Sequence, residues 1–306
     1  MESASRDLLE RLGQRVVGRQ RELEIVVASL AAGRHVLLEG PPGTGKSTLL
    51  RAVADELGLG FAFVEGNAEL TPARLVGHFD PARVISEGYR PEVFEPGPLV
   101  RALEEGCLLY VEEINRIPEE TLNVLITVMS EGELHIPRLG RVPAAEGFRL
   151  VAAMNPFDAV GTARISSAVY DRTCRLAMDY QRAEEEHDVV ARAVGEAAAD
   201  RVWVGKVVEL VRRTRNHPDL RIGSSVRGAI DTALVAASLG SLRGRPGTDP
   251  SVCLDAALVA LSGRIRVREG STRTAEDIVR ELWEDVFGRR AATEPDAGKA
   301  PAPTRA

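Results

Sequence analysis

Gly40-Pro41-Pro42-Gly43-Thr44-Gly45-Lys46-Ser47 completes the pattern G-x-x-x-x-G-K-S, and the apolar run His35-Val36-Leu37-Leu38-Glu39 leads straight into it. Beyond it, Leu49, Leu50, Val53 and Leu57 recur at helical spacing. Strand, glycine-rich turn and helix, in that order, are the context in which this pattern is a phosphate-binding loop. Glycines let successive backbone N–H groups converge on phosphate oxygens, and the helix N-terminus adds donors and the positive end of its dipole. Lys46 is placed to reach the β- and γ-phosphates, and the Ser47 hydroxyl to bind Mg²⁺. Glycine-rich turns also make plain strand–helix connections, but those do not call for Lys-Ser at the last two positions. Binding of a nucleoside triphosphate is expected, with Gly40 through Ser47 and the adjoining Thr48 as its cradle.

The lysine stands out for a second reason. The chain has lysine only at positions 46, 206 and 299, against thirty-six arginines. A planar guanidinium is a poor substitute for a compact ammonium in such a loop.

The 306 residues suffice for one large or two modest domains, and 44% hydrophobic with 27% charged residues describes an ordinary globular protein. A net charge of −6 supplies no general attraction to nucleic acid or anionic membrane. No apolar run reaches membrane-spanning length. Met1-Glu2-Ser3-Ala4-Ser5-Arg6-Asp7 lacks the apolar core of a signal peptide. Cys107, Cys174 and Cys253 show no metal-ligand spacing. Cys107 and Cys174 each open an apolar run, so buried free thiols and a reducing cytoplasm are expected.

Five short apolar runs alternate with helical patterns over the first 180 residues: 35–39, 61–65, 108–111, 150–154 and 175–178. Such alternation predicts a buried parallel sheet flanked by helices. Two insertions interrupt it. Residues 78–94 carry Gly88 and two prolines, and residues 132–147 hold short apolar pieces around Leu139-Gly140 that suggest a β-hairpin. After Tyr180 strand signals vanish and helices are expected. One has an acidic first turn at Glu184-Glu185-Glu186, one the spacing Val204, Val207, Val208, Val211, and one opens at Ser224 or Ser225. A fourth is expected near 252–261, and a last one behind the capping box Thr274 with Asp277. The expected division is a nucleotide-binding domain over 1–182, a helical domain over 183–288 and a disordered tail over 289–306, where periodicity is lost.

Leu108-Leu109-Tyr110-Val111-Glu112-Glu113 narrows the chemistry. An apolar strand ending in two acids can place Glu112 near Mg²⁺, in its outer shell, and Glu113 where a water would attack the γ-phosphate. Strand-tip carboxylates can also be surface decoration. Ala153-Met154-Asn155-Pro156 ends the next strand, and the Asn155 amide could hold that water or a phosphate oxygen, although Asn-Pro is also a plain turn signal. Arg172 and Arg227 read as solvated arginines when taken alone. Arg227 lies in the first turn of a helix, where a cation opposes the dipole unless a phosphate is close.

Together these residues resemble the MoxR family of AAA+ ATPases over about residues 12–287. The matching stretches are Val16-Val17-Gly18-Arg19, the phosphate loop, Phe94-Glu95-Pro96-Gly97-Pro98-Leu99, Glu113-Ile114-Asn115-Arg116 and Asn155-Pro156. Gly161-Thr162 with Asp171-Arg172, and Gly223-Ser224-Ser225-Val226-Arg227, continue the match in the same order. The two insertions fall where that clade carries its helix-2 insert and its pre-sensor-1 hairpin. The resemblance implies a three-layer α/β/α core with a five-stranded parallel sheet, followed by a small α-helical lid domain. It implies ATP and Mg²⁺ as cofactors, and Lys46, Glu113, Asn155, Arg172 and Arg227 as catalytic residues. Val17 and Gly18 would line the adenine pocket, and Ser47 and Glu112 would face the metal. Asn155 would be sensor 1 and Arg227 sensor 2, and Arg172 the finger reaching a neighbour's γ-phosphate. That last role implies a homo-oligomeric ring, a hexamer being expected. The implied function is a remodelling chaperone that acts on a client with a von Willebrand factor A domain protein. A metal-chelatase motor, a nucleic-acid translocase and a nucleotide switch are the alternatives. The family has Asp where this chain has Glu112. Arg164-Ile165-Ser166-Ser167 replaces a Pro-Leu-Pro-Glu segment, so Arg164 competes with Arg172, and register favours Arg172.

Overall fold

The structure is a computed structural model that describes residues 2–156, 166–195 and 200–288. It divides into two compact units, Met1–Gln181 and Arg182–Ala306. The expected tail over 289–306 lies outside the described residues, as do Gly161, Thr162 and Arg164.

In the first unit, α1 (Glu2–Arg15) and α2 (Gln20–Ala31) precede β1 (His35–Glu39), α3 (Lys46–Leu57) and β2 (Phe61–Glu65). The first insertion follows as α4 (Pro72–Val76), β3 (Gly77–Phe79), α5 (Pro81–Glu87) and β4 (Phe94–Pro96). Then come α6 (Pro98–Glu105), β5 (Leu108–Glu112), α7 (Glu119–Glu131), and the hairpin of β6 (Glu133–Ile136) and β7 (Gly140–Pro143). β8 (Arg149–Met154), α8 (Ser167–Arg172) and β9 (Thr173–Ala177) complete the unit.

Five strands form one parallel sheet in the order β2-β5-β8-β1-β9. Successive side chains of a strand point to opposite faces, and here they enter two separate cores. Leu37, Val64, Leu109, Val111, Leu150 and Ala152 pack with α6, α7 and the hairpin. Val36, Leu38, Leu108, Tyr110, Val151 and Ala153 pack with α2 and α3. Apolar residues at nearly every strand position are thus what a sheet covered on both faces requires.

Two expectations are corrected here. The fifth strand runs over 173–177 rather than 175–178, because pairing with β1 begins at His35–Thr173. Cys174 is exposed, not buried. It lies on β9, the edge strand of the sheet among the described residues, whereas Cys107 and Cys253 are buried.

The two insertions touch. Phe79, Tyr89 and Phe94 form an edge-to-face aromatic group, and the Arg138 guanidinium from the hairpin turn stands 3.5 Å from the Tyr89 ring centre.

The second unit contains α9 (Ala183–Val194), α10 (Arg201–Arg215), α11 (Val226–Arg243), α12 (Pro250–Leu261) and α13 (Ala275–Phe287). Val204, Val207, Val208 and Val211 are buried at the spacing that predicts their helix. The capping box of Thr274 and Asp277 is present. The unit is not purely helical, contrary to the expectation for the residues after Tyr180. β10 (Leu220–Ile222) pairs antiparallel with β11 (Arg266–Val267), both too short to leave a period in the sequence. Among the described residues no helix is long and apolar enough to cross a membrane.

His35 opens β1 with its Nδ1 accepting the Leu150 amide at 2.9 Å. Burial, with Arg149 and Arg34 nearby, lowers its pKa from 6.5 to about 4. The folded chain therefore holds this ring neutral where the unfolded chain protonates it. Stability from this group is whole above pH 6.5 and is lost progressively as pH falls towards 4. In urea unfolding followed at pH 7.5, 6 and 5, His35→Asn is expected to flatten this part of the pH dependence, since its amide oxygen accepts the same bond without titrating. An unchanged slope would remove His35 as its source.

Candidate functional site

Parallel register sets the site. Glu39 pairs with Met154, Val111 with Ala152, and Glu65 with Glu112. The carboxyl ends of β1, β8 and β5 are therefore neighbours, with β8 between the phosphate loop and the acidic pair. The crevice beyond such strand ends is where open α/β sheets bind ligands.

Gly40 leaves β1 with its amide on the Met154 carbonyl at 3.1 Å. A Cβ there would lie 2.2 Å from the Met178 carbonyl oxygen, so only glycine lets the chain turn at this point. Pro41, Pro42 and Gly43 carry the loop on to Gly45, whose φ of 84° caps α3 in the left-handed region. Thr44 Oγ1 donates to the Pro41 carbonyl at 3.0 Å. Lys46, 8% exposed, turns its ammonium back across the loop, donating to the carbonyls of Gly40 and Pro41 at 2.9 Å each. Ser47 and Thr48 form the first turn of α3 beside it.

Ser47 meets the acidic strand directly. Its Oγ lies 3.2 Å from Glu112 Oε1, to which it donates, and 3.2 Å from the Tyr110 hydroxyl. The longer Glu112 side chain thus spans to the loop. Burial, reinforced by the Glu112 charge, pushes the Tyr110 phenol well above its ordinary pKa, so it remains a neutral hydroxyl. Tyr110 is fully buried, and in the sequence it is indistinguishable from the other apolar residues of its strand.

Glu113 has φ 53° and ψ 43°, a left-handed conformation that costs a non-glycine residue on the order of 1–3 kcal/mol. The left-handed residue breaks the strand after Glu112, and Arg116 Nε pairs with the Glu113 carboxylate at 3.2 Å. Asn155 follows β8 immediately, partly buried between the strand end of Glu39 and that of Val111.

Arg19 was legible only as part of a motif, yet it is 4% exposed and joins three segments. It donates to the Thr44 carbonyl at 2.9 Å and the Asp179 carbonyl at 2.7 Å, and pairs with Glu22 at 2.8 Å. The Val17 carbonyl accepts from the Gln181 amide, and Gly18 takes a φ of 66°. Val17 and Gly18 are thereby tied to the phosphate loop through Arg19.

Arg172 ends α8, and its guanidinium contacts Ser130 Oγ of α7, the Ala168 carbonyl at 3.0 Å and Asp171 at 3.7 Å. Arg227 belongs to the second unit, exposed in the first turn of α11. Ser225 is the N-cap of that helix, without a side-chain capping bond. The preceding loop is held by buried charge: Glu186, 2% exposed, pairs with Arg212 at 2.9 Å and Arg215 at 2.8 Å. Arg215 also donates to the Ser224 carbonyl at 2.9 Å. A cavity between α9 and α10, lined by Glu184, His187, Asp188 and Arg201 among others, includes none of the candidate residues.

Known proteins share this organisation. The family described as AAA domain (dynein-related subfamily) matches residues 35–173. Gas vesicle ATPase GvpN of Haloferax mediterranei is 30% identical over 242 residues, 74% of this chain and 68% of that protein. Protein MoxR of Methylorubrum extorquens is 36% identical over 155 residues, 46% of this chain and 44% of that protein. Protein YeaC of Bacillus subtilis is 28% identical over an alignment spanning 91% of this chain and 92% of that protein. The solved structure of Thermotoga maritima RuvB matches with a TM-score of 0.54 over 79% of this chain and 70% of that one at 18% identity, a likeness of fold. Fold and phosphate loop together define a AAA+ ATPase, which binds and hydrolyses ATP. Within that class the chain belongs to the MoxR-like family.

The packing of Lys46 makes a specific prediction. Lys46→Ala is expected to weaken ATP binding at least about tenfold, by loss of a charge-assisted contact. Lys46→Arg is expected to recover little of it, because a planar fork cannot occupy the space between the Gly40 and Pro41 carbonyls. Titration with a fluorescent ATP analogue measures both, and wild-type affinity in Lys46→Arg would contradict this account.

Proposed function

We propose that this chain is a Mg-ATP-driven remodelling ATPase that works as a ring, a hexamer in the simplest case. It matures or rearranges a client protein together with a von Willebrand factor A domain partner, in the reducing cytoplasm. The observation that carries the hydrolytic part is the 3.2 Å meeting of Ser47 and Glu112, with Glu113 and Asn155 at adjoining strand ends. The Ser47 hydroxyl, with the Glu112 carboxylate behind it in the outer shell and phosphate oxygens and water completing the set, fits Mg²⁺, which takes few protein ligands in nucleotide sites. The ion would neutralise charge on the β- and γ-phosphates.

The protein residues divide the remaining work. Gly40 to Thr48 and Lys46 hold the phosphates. Glu113, set off the strand by its left-handed backbone, is the base for the attacking water, and Asn155 orients that water or a γ-oxygen. Arg227, at the start of α11, takes the sensor 2 role of the MoxR-like pattern. Arg172 is the finger offered to a neighbouring subunit. Its polar contacts include Ser130, Ala168 and Asp171. Val17 and Gly18, braced by Arg19, line the adenine. The chaperone role and the A-domain partner are supported by membership of the MoxR-like family.

Three expected outcomes test this assignment. Glu113→Gln should bind ATP and lose turnover at least about a hundredfold, since basicity goes while shape stays. Arg172→Ala should bind ATP and also fail to hydrolyse it as a pure assembly, yet a mixture of the two should regain part of the activity. Only mixed rings contain an interface with both Glu113 and Arg172 intact. A mixture that stays inactive while both variants assemble would place Arg172 outside a neighbour's site. The same ATP-locked Glu113→Gln ring, used as bait, is expected to retain an A-domain protein with ATP and release it with ADP. Retention of tetrapyrrole enzymes instead would indicate a chelatase motor, and salt-sensitive retention of DNA a translocase.

A further inference from the structure

Glu39 is an ionisable side chain where the sheet calls for an apolar one. It is the last residue of β1, its side chain 4% exposed, one position before the phosphate loop. Burying a carboxylate costs several kcal/mol unless partners replace its water. The Tyr170 hydroxyl from α8 donates to Oε1 at 2.7 Å, and the Arg175 guanidinium from β9 pairs with Oε2. Burial, with the bond to Glu39, raises the Tyr170 pKa and keeps the phenol a donor. Neither partner has any role in the binding or hydrolysis assigned above.

The clasp joins two parts of the site. On one side the Gly40 carbonyl, next in the chain to Glu39, accepts from Lys46. On the other side Tyr170 sits two residues before Arg172, on a helix of six residues that Val169 anchors in the core. Thr173 Oγ1 closes the helix on the Val169 carbonyl at 2.8 Å. A helix that short has little stability of its own, so its placement depends on such attachments. We infer that Glu39 is a positioning residue that, through Tyr170, sets α8 and with it Arg172 relative to the phosphate loop. It would thereby transmit the state of one subunit's loop to the arginine it offers its neighbour. This rests on the assignment of Arg172 to a neighbouring site.

Glu39→Gln and Tyr170→Phe test it, each close in shape to the native residue. Both are expected to assemble and to bind ATP within about twofold of normal, while kcat falls about tenfold with KM unchanged. Because the two groups act as one contact, the double variant should lose no more than the worse single variant. Complementation then tells through which site they act. If Glu39 acts through Arg172, its variant still has a sound base and lacks only a well-placed finger. Mixing Glu39→Gln with Glu113→Gln should restore activity, and mixing it with Arg172→Ala should not. The reverse pattern, rescue by Arg172→Ala alone, would mean that Glu39 serves its own phosphate loop and would overturn the proposal. Unchanged kcat in both single variants would overturn it as well. Should Arg172→Ala itself hydrolyse ATP normally, the finger assignment falls separately. The clasp is then decided by the double variant, non-additive losses sustaining it and additive losses removing it. Should Glu39→Gln not fold, Tyr170→Phe carries the complementation arms alone.

Discussion

Burial of the parallel sheet on both faces is the constraint from which the site follows. Each strand sends alternate residues into different cores, so a one-residue slip of β8 would exchange Leu150 and Ala152 with Val151 and Ala153. The same slip would move Asn155 along the strand by about 3.3 Å relative to Gly40 and Glu112. Hydrophobic packing thus fixes, to within one strand residue, where the polar groups emerge. Deleting one fully buried leucine such as Leu37 would cost roughly 2–5 kcal/mol, so the register is held far more firmly than any one hydrogen bond at the edge could hold it.

At that edge the chain accepts costs it avoids elsewhere. Glu113 adopts a left-handed backbone, Lys46 is buried, and Glu39 places a carboxylate under the loop. Each is unfavourable by itself, and each is compensated locally: Arg116 pairs with Glu113, the loop carbonyls accept from Lys46, and Tyr170 and Arg175 reach Glu39. Apolar cores below and strained or buried polar groups above make a rigid base under a poised surface. Such clustering of local cost at strand ends is where preorganisation is stored.

Much of this was legible in the sequence because it is written locally. The run 35–39 and the octapeptide after it yield strand, turn and helix boundaries that the structure repeats, and the hairpin and the last capping box are equally local. What stayed hidden is tertiary. Glu39 reads as the end of an apolar run, and its partners lie 131 and 136 residues away. Tyr110 alternates correctly for a core residue, and nothing in its neighbourhood announces a hydroxyl aimed at Ser47. Cys174 misled because an apolar run does not reveal whether its strand is central or at the edge. The start of α2 has no capping side chain, and the paired segments at 220–222 and 266–267 are below the length at which alternation can be counted.

The stacking of Arg138 on Tyr89 has a mechanical consequence. It is the cation–π contact between two insertions that arise from different strand connections, and Tyr89 is half exposed. An exposed contact of this kind is worth roughly 0.5–1 kcal/mol, little more than thermal energy. Where Arg138 meets Tyr89 the insertions are therefore joined by a clutch rather than a weld, engaged most of the time and released by a modest pull. Motion of the hairpin would drag the first insertion along while the load is small and slip past it when the load rises. That contact by itself passes only a small load from one insertion to the other before it lets go.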